Sequence, residues 1–542
     1  MKDVPEKAVH SRLFGNDIIL AMDFSQLLDG AEVLLLQGSV EIRGLDYDSR
    51  RVRRGWAFVA MRGEKTDGNR YIEQAIANGA VAVVSDSAEL SPRPDLAWAR
   101  VAHGRRALAR LSANFYHRPA ERLSSTGITG TNGKTTTGFI LEAILSAARR
   151  KSALVGTVEY HLPGKVIPAP HTTPEPLELM QVLSQAVAVG ATEAVMEVSS
   201  HALEQHRVFG VPFDVAVFSN LTRDHLDYHL TFENYFAAKR ILFEGCGTEP
   251  PRCAIINVDD EYGRKLLRFC QGRSRLVYSY GLASGDFHAR QLSMSAAGNR
   301  FHLVTPDGEI KIVSPLLGGV NVYNVIAASA AAFARDCTAD QITNGILSVA
   351  RVPGRFERVD EGQPFAVIID YAHTDDALKN LLRVAREFIR CATGSGSSTA
   401  PPPEAGTALP RVITVFGCGG DRDRSKRPLM GKAAGEGSDF VVLTSDNPRS
   451  EDPEAIMADA LPGLRESGTP YLAHPDRCEA IRLALAEARP GDVVLIAGKG
   501  HEKTQTTRAG VFPFDDFQVA REQLRGLGFT GAHSPLEQGG KS

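Results

Sequence analysis

Cysteine pairs, long apolar runs and excess charge are all missing from this sequence, and each absence excludes something. The 542 residues include seven cysteines, Cys246, Cys253, Cys270, Cys337, Cys391, Cys418 and Cys478, an odd number with no C-x-x-C pair. That spacing argues against a disulfide framework or a thiolate zinc site, and reduced thiols in a cytoplasmic protein are expected. No apolar run approaches the roughly 18 residues of a membrane span. The first twenty residues mix charges and carry no signal-peptide core, so no membrane partner is expected. Lys and Arg total 61 against 64 Asp and Glu, a formal net charge of -3. Without a basic excess, nucleic acid is not an expected partner, and acidic ligands must be held by local sites.

What is present is an ordinary globular composition, 43% hydrophobic and 23% charged, in a chain too long for one core. The fold class is α/β, and three domains are expected. Residues 1–122 form a small mixed α/β N-terminal domain, of which 1–20 look like an extension. Residues 123–352 alternate strand-like runs (EAVMEV, FDVAVFSN, CAIINVDD) with helical segments, the pattern of a parallel sheet with crossover helices. Residues 353–542 repeat the alternation (FAVIIDYAH, RVITVFGCGG, DFVVLTSDNP, DVVLIAGKGHE) and are expected to form a Rossmann-like domain. Within it, residues 391–410 are rich in Gly, Ser and Pro and read as a flexible surface insertion. A frayed tail is expected from about residue 531.

The chemistry is carried by segments at the ends of the strand-like runs. Gly130-Thr131-Asn132-Gly133-Lys134-Thr135-Thr136 follows one run and opens an apolar helix. Glycines there let backbone N–H groups approach phosphates, the lysine meets the terminal phosphates, and a hydroxyl can bind Mg²⁺. The central domain is therefore expected to be P-loop ATPase-like. The loop is a short G-x-x-G-K-T form, since the longer spacing would need glycine where Ile128 stands. Glu197, and Asp224, His225 and Asp227 in DHLDYH, offer ligands for a cation that neutralises phosphate charge; the plain alternative for DHLDYH is a polar turn. Four clusters close runs in the third domain: Asp370-Tyr371-Ala372-His373, Gly417 to Arg422, Asp446-Asn447-Pro448-Arg449 and Gly498 to Glu502. In an open parallel sheet they converge on one crevice. Two arginines and a glutamate there suit a ligand bearing carboxylate and ammonium groups.

These segments, with EVSSHALEQHRV at 197–208, NLTRDHLDYH at 220–229, PGRFE at 353–357 and GCGGDRDRSKRPLMG at 417–431, resemble the Mur ligase family of bacterial cell-wall synthesis over nearly the whole chain. DNPR at 446–449 is similar to the signature of members that add meso-diaminopimelate as the third residue of the peptide stem, in contrast to lysine-adding ones. The resemblance implies an ADP-forming ligase of peptidoglycan precursor synthesis, serving cell shape and division. ATP would be its co-substrate and Mg²⁺ its cofactor, with UDP-N-acetylmuramoyl-L-alanyl-D-glutamate and meso-diaminopimelate as partners and a monomer as the expected state. It further implies that Tyr47, Ser49, Glu64, Lys65 and Thr66 contact the UDP group, and that Thr172, Thr173, Ser199, Gln205 and Arg207 contact the muramoyl dipeptide. Asn321, Asn324, Arg355 and Asp370 would surround ATP with the phosphate loop. Arg422, the DNPR group, Gly498 and Glu502 would hold diaminopimelate. Lys239 would be carbamylated and join Thr135, Glu197 and His225 as a metal ligand; without the resemblance, a solvated helix lysine is the plain reading. His171 and Asp375 depart from the family's usual Asn and Pro, the latter with an expected local effect on helix entry. Two rival readings are a folylpolyglutamate synthase-like ligase, opposed by the N-terminal domain and DNPR, and a nonenzymatic nucleotide-binding regulator on the same scaffold, opposed by the presence of Lys134, Glu197, His225, Lys239 and Asp370 together.

Overall fold

Strand-like runs alternating with helices produce three large sheets, beside three smaller ones, in the computed structural model, which describes residues 21–63, 66–295, 297–392 and 409–531. The first sheet comprises β1 (Val33–Gln37), β2 (Gly44–Asp46), β3 (Trp56–Ala60), β4 (Ala80–Ser85) and β5 (Ala97–Val101), ordered β1-β5-β4-β3-β2. Only the β1–β5 pairing is antiparallel. Helix α1 (Gly104–Phe115) packs Leu108, Leu111 and Phe115 on this sheet.

The central sheet contains β6 (Ser124–Thr129), β7 (Ser152–Val155), β8 (Glu159–Leu162), β9 (Lys165–Pro168), β10 (Glu193–Glu197), β11 (Phe213–Phe218), β12 (Cys253–Asn257) and β13 (Leu276–Tyr280), ordered β9-β8-β7-β10-β6-β11-β12-β13. From β7 to β13 every pairing is parallel, and β8–β9 is an antiparallel hairpin added at one edge. Both faces are covered: Val195 packs in one apolar cluster, while its neighbours Ala194 and Met196 pack in the other. This two-sided burial explains why the strands read as continuous apolar runs. Its helices include α2 (Lys134–Ala147), α3 (Pro176–Ala188), the short α4 (Ser200–Glu204) and α5 (Phe232–Glu244).

A three-stranded antiparallel meander, β14 (His288–Ser295), β15 (Gly298–Thr305) and β16 (Gly308–Ser314), then interrupts the α/β alternation before α6 (Gly319–Phe333) and α7 (Ala339–Ser348). The meander was not expected from the sequence. Its outer strands are largely wet, so they lack the solid apolar runs that mark their neighbours.

The third sheet contains β17 (Glu357–Val359), β18 (Ala366–Asp370), β19 (Val412–Cys418), β20 (Phe440–Ser445), β21 (Tyr471–His474) and β22 (Val493–Ala497), ordered β17-β18-β22-β19-β20-β21. It is parallel from β18 to β21 and covered on both faces. Its helices are α8 (Asp375–Ala392), α9 (Lys426–Gly437), α10 (Pro453–Glu466), α11 (Arg477–Glu487) and α12 (Asp516–Gly526), and a small hairpin joins β23 (Thr504–Thr507) to β24 (Gly510–Pro513). Most of the Gly-, Ser- and Pro-rich insertion between α8 and β19, together with residues 1–20 and the tail beyond 531, lies outside the described residues. Asp375 enters α8 directly after Thr374, whose hydroxyl accepts from the Ala377 N–H at 3.1 Å. The helix thus begins without the proline, with Asp375 and Asp376 complementing its dipole.

Among the described residues no helix is long and apolar enough to cross a membrane. Cys246, Cys253, Cys270, Cys337, Cys418 and Cys478 are free thiols, and burial pushes those of Cys253, Cys270 and Cys418 up to about 12.

Candidate active site

The phosphate loop joins β6 to α2. Gly130 and Gly133 have φ of 147° and 88°, and a Cβ on either would fall 1.9 Å from Ser219 Oγ or 2.4 Å from Asn324 Oδ1. Only glycine therefore permits this turn and the approach of α6 to it. Lys134 folds back, donating to Gly130 O at 2.8 Å and Thr131 O at 2.9 Å. Burial lowers its pKa, opposed by Glu197 and Asp224. Asn324 accepts from Thr137 Oγ1 at 3.4 Å and donates to Asn321 Oδ1 at 2.9 Å, setting both asparagines beside the loop.

A chain of hydroxyls leads away from this loop. Thr135 Oγ1 donates to Glu197 Oε2 at 3.0 Å, Thr157 Oγ1 reaches the same oxygen at 2.9 Å, and Thr172 Oγ1 lies 3.0 Å from Thr157 Oγ1. Thr157 was not anticipated; its one signal is its place just beyond a strand end. Thr173 Oγ1 donates to Glu197 O and accepts from the Ser199 N–H, and Arg207 binds Thr173 O at 3.0 Å and Gln205 Oε1 at 2.7 Å. Thr172, Thr173, Ser199, Gln205 and Arg207 are thus gathered next to Glu197.

Lys239 corrects the solvated-helix reading of the bare sequence. It is 2% exposed, donates to Gly130 O at 2.8 Å and sits over the Tyr235 ring. Burial and the nearby Lys134 drive its pKa well below the ordinary value. Burial likewise lowers His225 to about 3, leaving a neutral imidazole. Asp224 is not free for a cation: it pairs with Lys426 of α9 at 3.0 Å and accepts the His225 backbone N–H at 2.8 Å. Asp227 is exposed. Among the described residues no group of three or more His, Cys, Asp or Glu could hold a metal by itself. The oxygen donors Thr135 and Glu197 nevertheless suit Mg²⁺, whose remaining positions are ordinarily filled by phosphate oxygens and water.

The four strand-end clusters of the third domain close adjacent strands β18, β22, β19 and β20 on one edge of the sheet. Asp370, its pKa raised by burial against the pull of Arg355, accepts the N–H groups of Phe356 and Ala372. Arg355 lies over the Tyr371 ring and reaches Thr135 Oγ1 at 3.3 Å, joining this domain to the phosphate loop. The Arg355 loop and the Gly498–Glu502 loop cross backbone to backbone: a Cβ on Gly354 would lie 2.2 Å from His501 N, and one on Gly500 2.8 Å from Tyr371 N. Arg449 binds Gly420 O at 2.7 Å, and burial with the neighbouring Arg422 lowers its pKa. Asn447 Nδ2 donates to Glu502 Oε2 at 2.7 Å. Arg449 therefore lies close to Arg422 on one hand and to the carboxylates of Asp446 and Glu502 on the other.

The UDP set is gathered less completely. Ser49 is buried and donates to Gln74 at 2.8 Å, and the half-buried Tyr47 hydroxyl donates across the domain boundary to Glu178 at 3.1 Å, so each would meet a ligand as an acceptor. Thr66 is exposed, and Glu64 and Lys65 lie outside the described residues.

Residues 41–116 match the description "Mur ligase family, catalytic domain", 128–332 "Mur ligase middle domain" and 404–500 "Mur ligase, glutamate ligase domain". The chain is 52% identical over 491 residues to the UDP-N-acetylmuramoyl-L-alanyl-D-glutamate–2,6-diaminopimelate ligase of Solibacter usitatus, covering 90% of this chain and 94% of that one. The chain belongs to the Mur ligase family. A solved UDP-N-acetylmuramoyl-L-alanyl-D-glutamate–2,6-diaminopimelate ligase shares its architecture with a TM-score of 0.62 at 34% identity, covering 90% of this chain and 96% of that one. The Mur ligase fold alone is shared with MurF from Thermotoga maritima, solved in complex with ADP (TM-score 0.58, 18% identity, 89% and 97% covered). The chain is accordingly an ATP-dependent ligase of three α/β domains.

Proposed function

We propose that this ligase joins meso-diaminopimelate to UDP-N-acetylmuramoyl-L-alanyl-D-glutamate in the cytoplasm, releasing ADP and phosphate. The supporting observation is the set of charged side chains gathered at the β19, β20 and β22 ends. Arg422 and Arg449 supply a pole for a carboxylate, and Glu502 with Asp446 a pole for an ammonium. Lysine lacks the distal carboxylate that the arginine pole would hold.

A carboxylate has no adequate leaving group, so the glutamate γ-carboxylate must first be activated. Transfer of the γ-phosphoryl group of ATP to it yields ADP and an acyl phosphate, with Lys134 and the loop N–H groups spreading the developing charge. Thr135 and Glu197 would hold one Mg²⁺, and His225 with carbamylated Lys239 another; such ions supply charge neutralisation on the phosphates. Thr172, Thr173, Ser199, Gln205 and Arg207 would hold the dipeptide arm. Asn321, Asn324, Arg355 and Asp370 would hold the nucleotide. The diaminopimelate amine, having lost its proton, attacks the acyl carbon, and the tetrahedral intermediate collapses with departure of phosphate. Closure of the domains over the site would keep water from competing for the acyl phosphate.

The test is ADP release with UDP-muramoyl-dipeptide and diaminopimelate, lysine or glutamate in turn. ADP formation that requires both the muramoyl substrate and diaminopimelate is expected. AMP formation, or turnover indifferent to the muramoyl substrate, would overturn the reading. Arg449→Ala is expected to weaken diaminopimelate use by about 2–5 kcal/mol, as when one partner of a desolvated charge pair is removed.

A further inference from the structure

Lys499 is fully buried beneath the proposed amino-acid crevice, between Gly498 and Gly500, whose positive φ turns the chain there. Its ammonium donates to Asn447 Oδ1 at 3.1 Å and Glu502 Oε2 at 3.2 Å, and lies 3.6 Å from Asp446 Oδ1. Asn447 Oδ1 also accepts the Thr506 N–H at 2.9 Å, while its Nδ2 donates to Glu502 Oε2 at 2.7 Å. Two donors thus converge on one side of the amide and an acceptor on the other. Only one amide orientation satisfies all three, because a flip would set an NH₂ against an ammonium. Glu502 Oε2 takes both bonds and leaves Oε1 available.

The charge balance points the same way. Below this group, Arg477 and Asp516 form a fully buried pair at 2.7 Å and neutralise each other. Lys499 between Asp446 and Glu502 leaves one negative charge, suited to one ammonium. Removing Lys499 would leave two carboxylates facing each other and free the Asn447 amide to turn. A buried ammonium is costly to desolvate, so an apolar side chain would serve packing better.

We propose that Lys499 is a positioning residue for the amino-acid substrate, holding Asn447 and Glu502 so that they receive the ammonium at the distal centre of diaminopimelate. The inference rests on the function proposed above. It does not require Lys499 to touch the substrate, which its burial forbids.

Steady-state kinetics of Lys499→Met, Asn447→Ala and the double variant test it, with thermal unfolding checking that each is folded. Lys499→Met is expected to raise the KM for diaminopimelate by about 10-fold or more, with the KM for ATP and for the muramoyl substrate within about 2-fold of wild type. In the Asn447→Ala background the same substitution is expected to raise that KM clearly less than it does in wild type, because the part of its effect that acts through the amide is already lost while the part through Glu502 remains. Lys499→Gln, which keeps a donor without the charge, is expected to fall between, and it replaces Lys499→Met in the cycle if the methionine variant does not fold. An unchanged diaminopimelate KM, a loss confined to kcat, or fully additive effects would overturn the proposal. Wild-type turnover that ignores diaminopimelate would instead overturn the functional reading, so the two failures are distinguishable.

Discussion

Lys134 and Lys239 each donate to the carbonyl of Gly130 at 2.8 Å, two amines sharing one oxygen. Burial penalises the charged form and the neighbouring Lys134 repels it, so Lys239 gives up its proton far more readily than an ordinary lysine. An uncharged amine is what carbon dioxide requires to form a carbamate, which would replace a repelling cation with an anion. Lys239→Ala is expected to lower turnover by about 10²-fold, with partial recovery on adding formate or acetate. A fully active variant would exclude the carbamate. Lys134→Ala is expected to lower turnover by about 10²–10³-fold or more while the unfolding transition is retained; normal ADP release would remove the phosphate-loop assignment. The loop was legible because glycine spacing and a following lysine leave a local mark. The burial of Lys239 was not, since it depends on which helix face meets Gly130 from more than a hundred residues away. The same holds for the bond that the Tyr47 hydroxyl donates to Glu178 across the domain boundary.

At the scale of elements, strands covered on both faces were legible as apolar runs, and the wet meander of β14 to β16 was not. The hairpin β8–β9 is tied to α2, the helix that carries the phosphate loop, by His161. Its Nδ1 lies 2.7 Å from Glu142 and its Nε2 2.9 Å from Glu159. Burial opposes the imidazolium, and the two glutamates overcome it, raising the pKa to about 9. Because the folded value exceeds the unfolded one of roughly 6.5, the stabilisation is complete below pH 6.5 and lost as pH rises through 9. The contribution is on the order of 1–3 kcal/mol. Thermal unfolding of wild type and His161→Gln should therefore differ most near pH 6 and converge above pH 10. Parallel curves across that range would contradict the role.

For the whole molecule, three polar contacts dock the third domain on the second: Lys426 to Asp224 at 3.0 Å, Arg355 to Thr135 at 3.3 Å and Asn132 to Asp376 at 3.3 Å. The ends of this arrangement were legible as motifs, but the docking was not, because no single-chain pattern encodes which loops of two domains meet. Lys426→Met removes the one ion pair among the three. It is expected to enlarge the radius of gyration measured by small-angle scattering and to lower kcat by up to about 10²-fold. Unchanged scattering and rate would show that the pair does not hold the domains together.

The crossing of the Gly354 and Gly500 loops has a consequence for how such an enzyme changes over time. Gly354 meets the His501 backbone and Gly500 meets Tyr371 at its Cβ and N, so the spacing between the proposed nucleotide half of the crevice and the proposed amino-acid half is set mainly by main chain. Substitutions at Asn447 or Arg449 can alter which amine is accepted without moving the place where it is presented. Every residue other than glycine at either crossing point would shift that place and lose the reaction for all amines together. Variation is thereby channelled into selectivity and kept out of geometry.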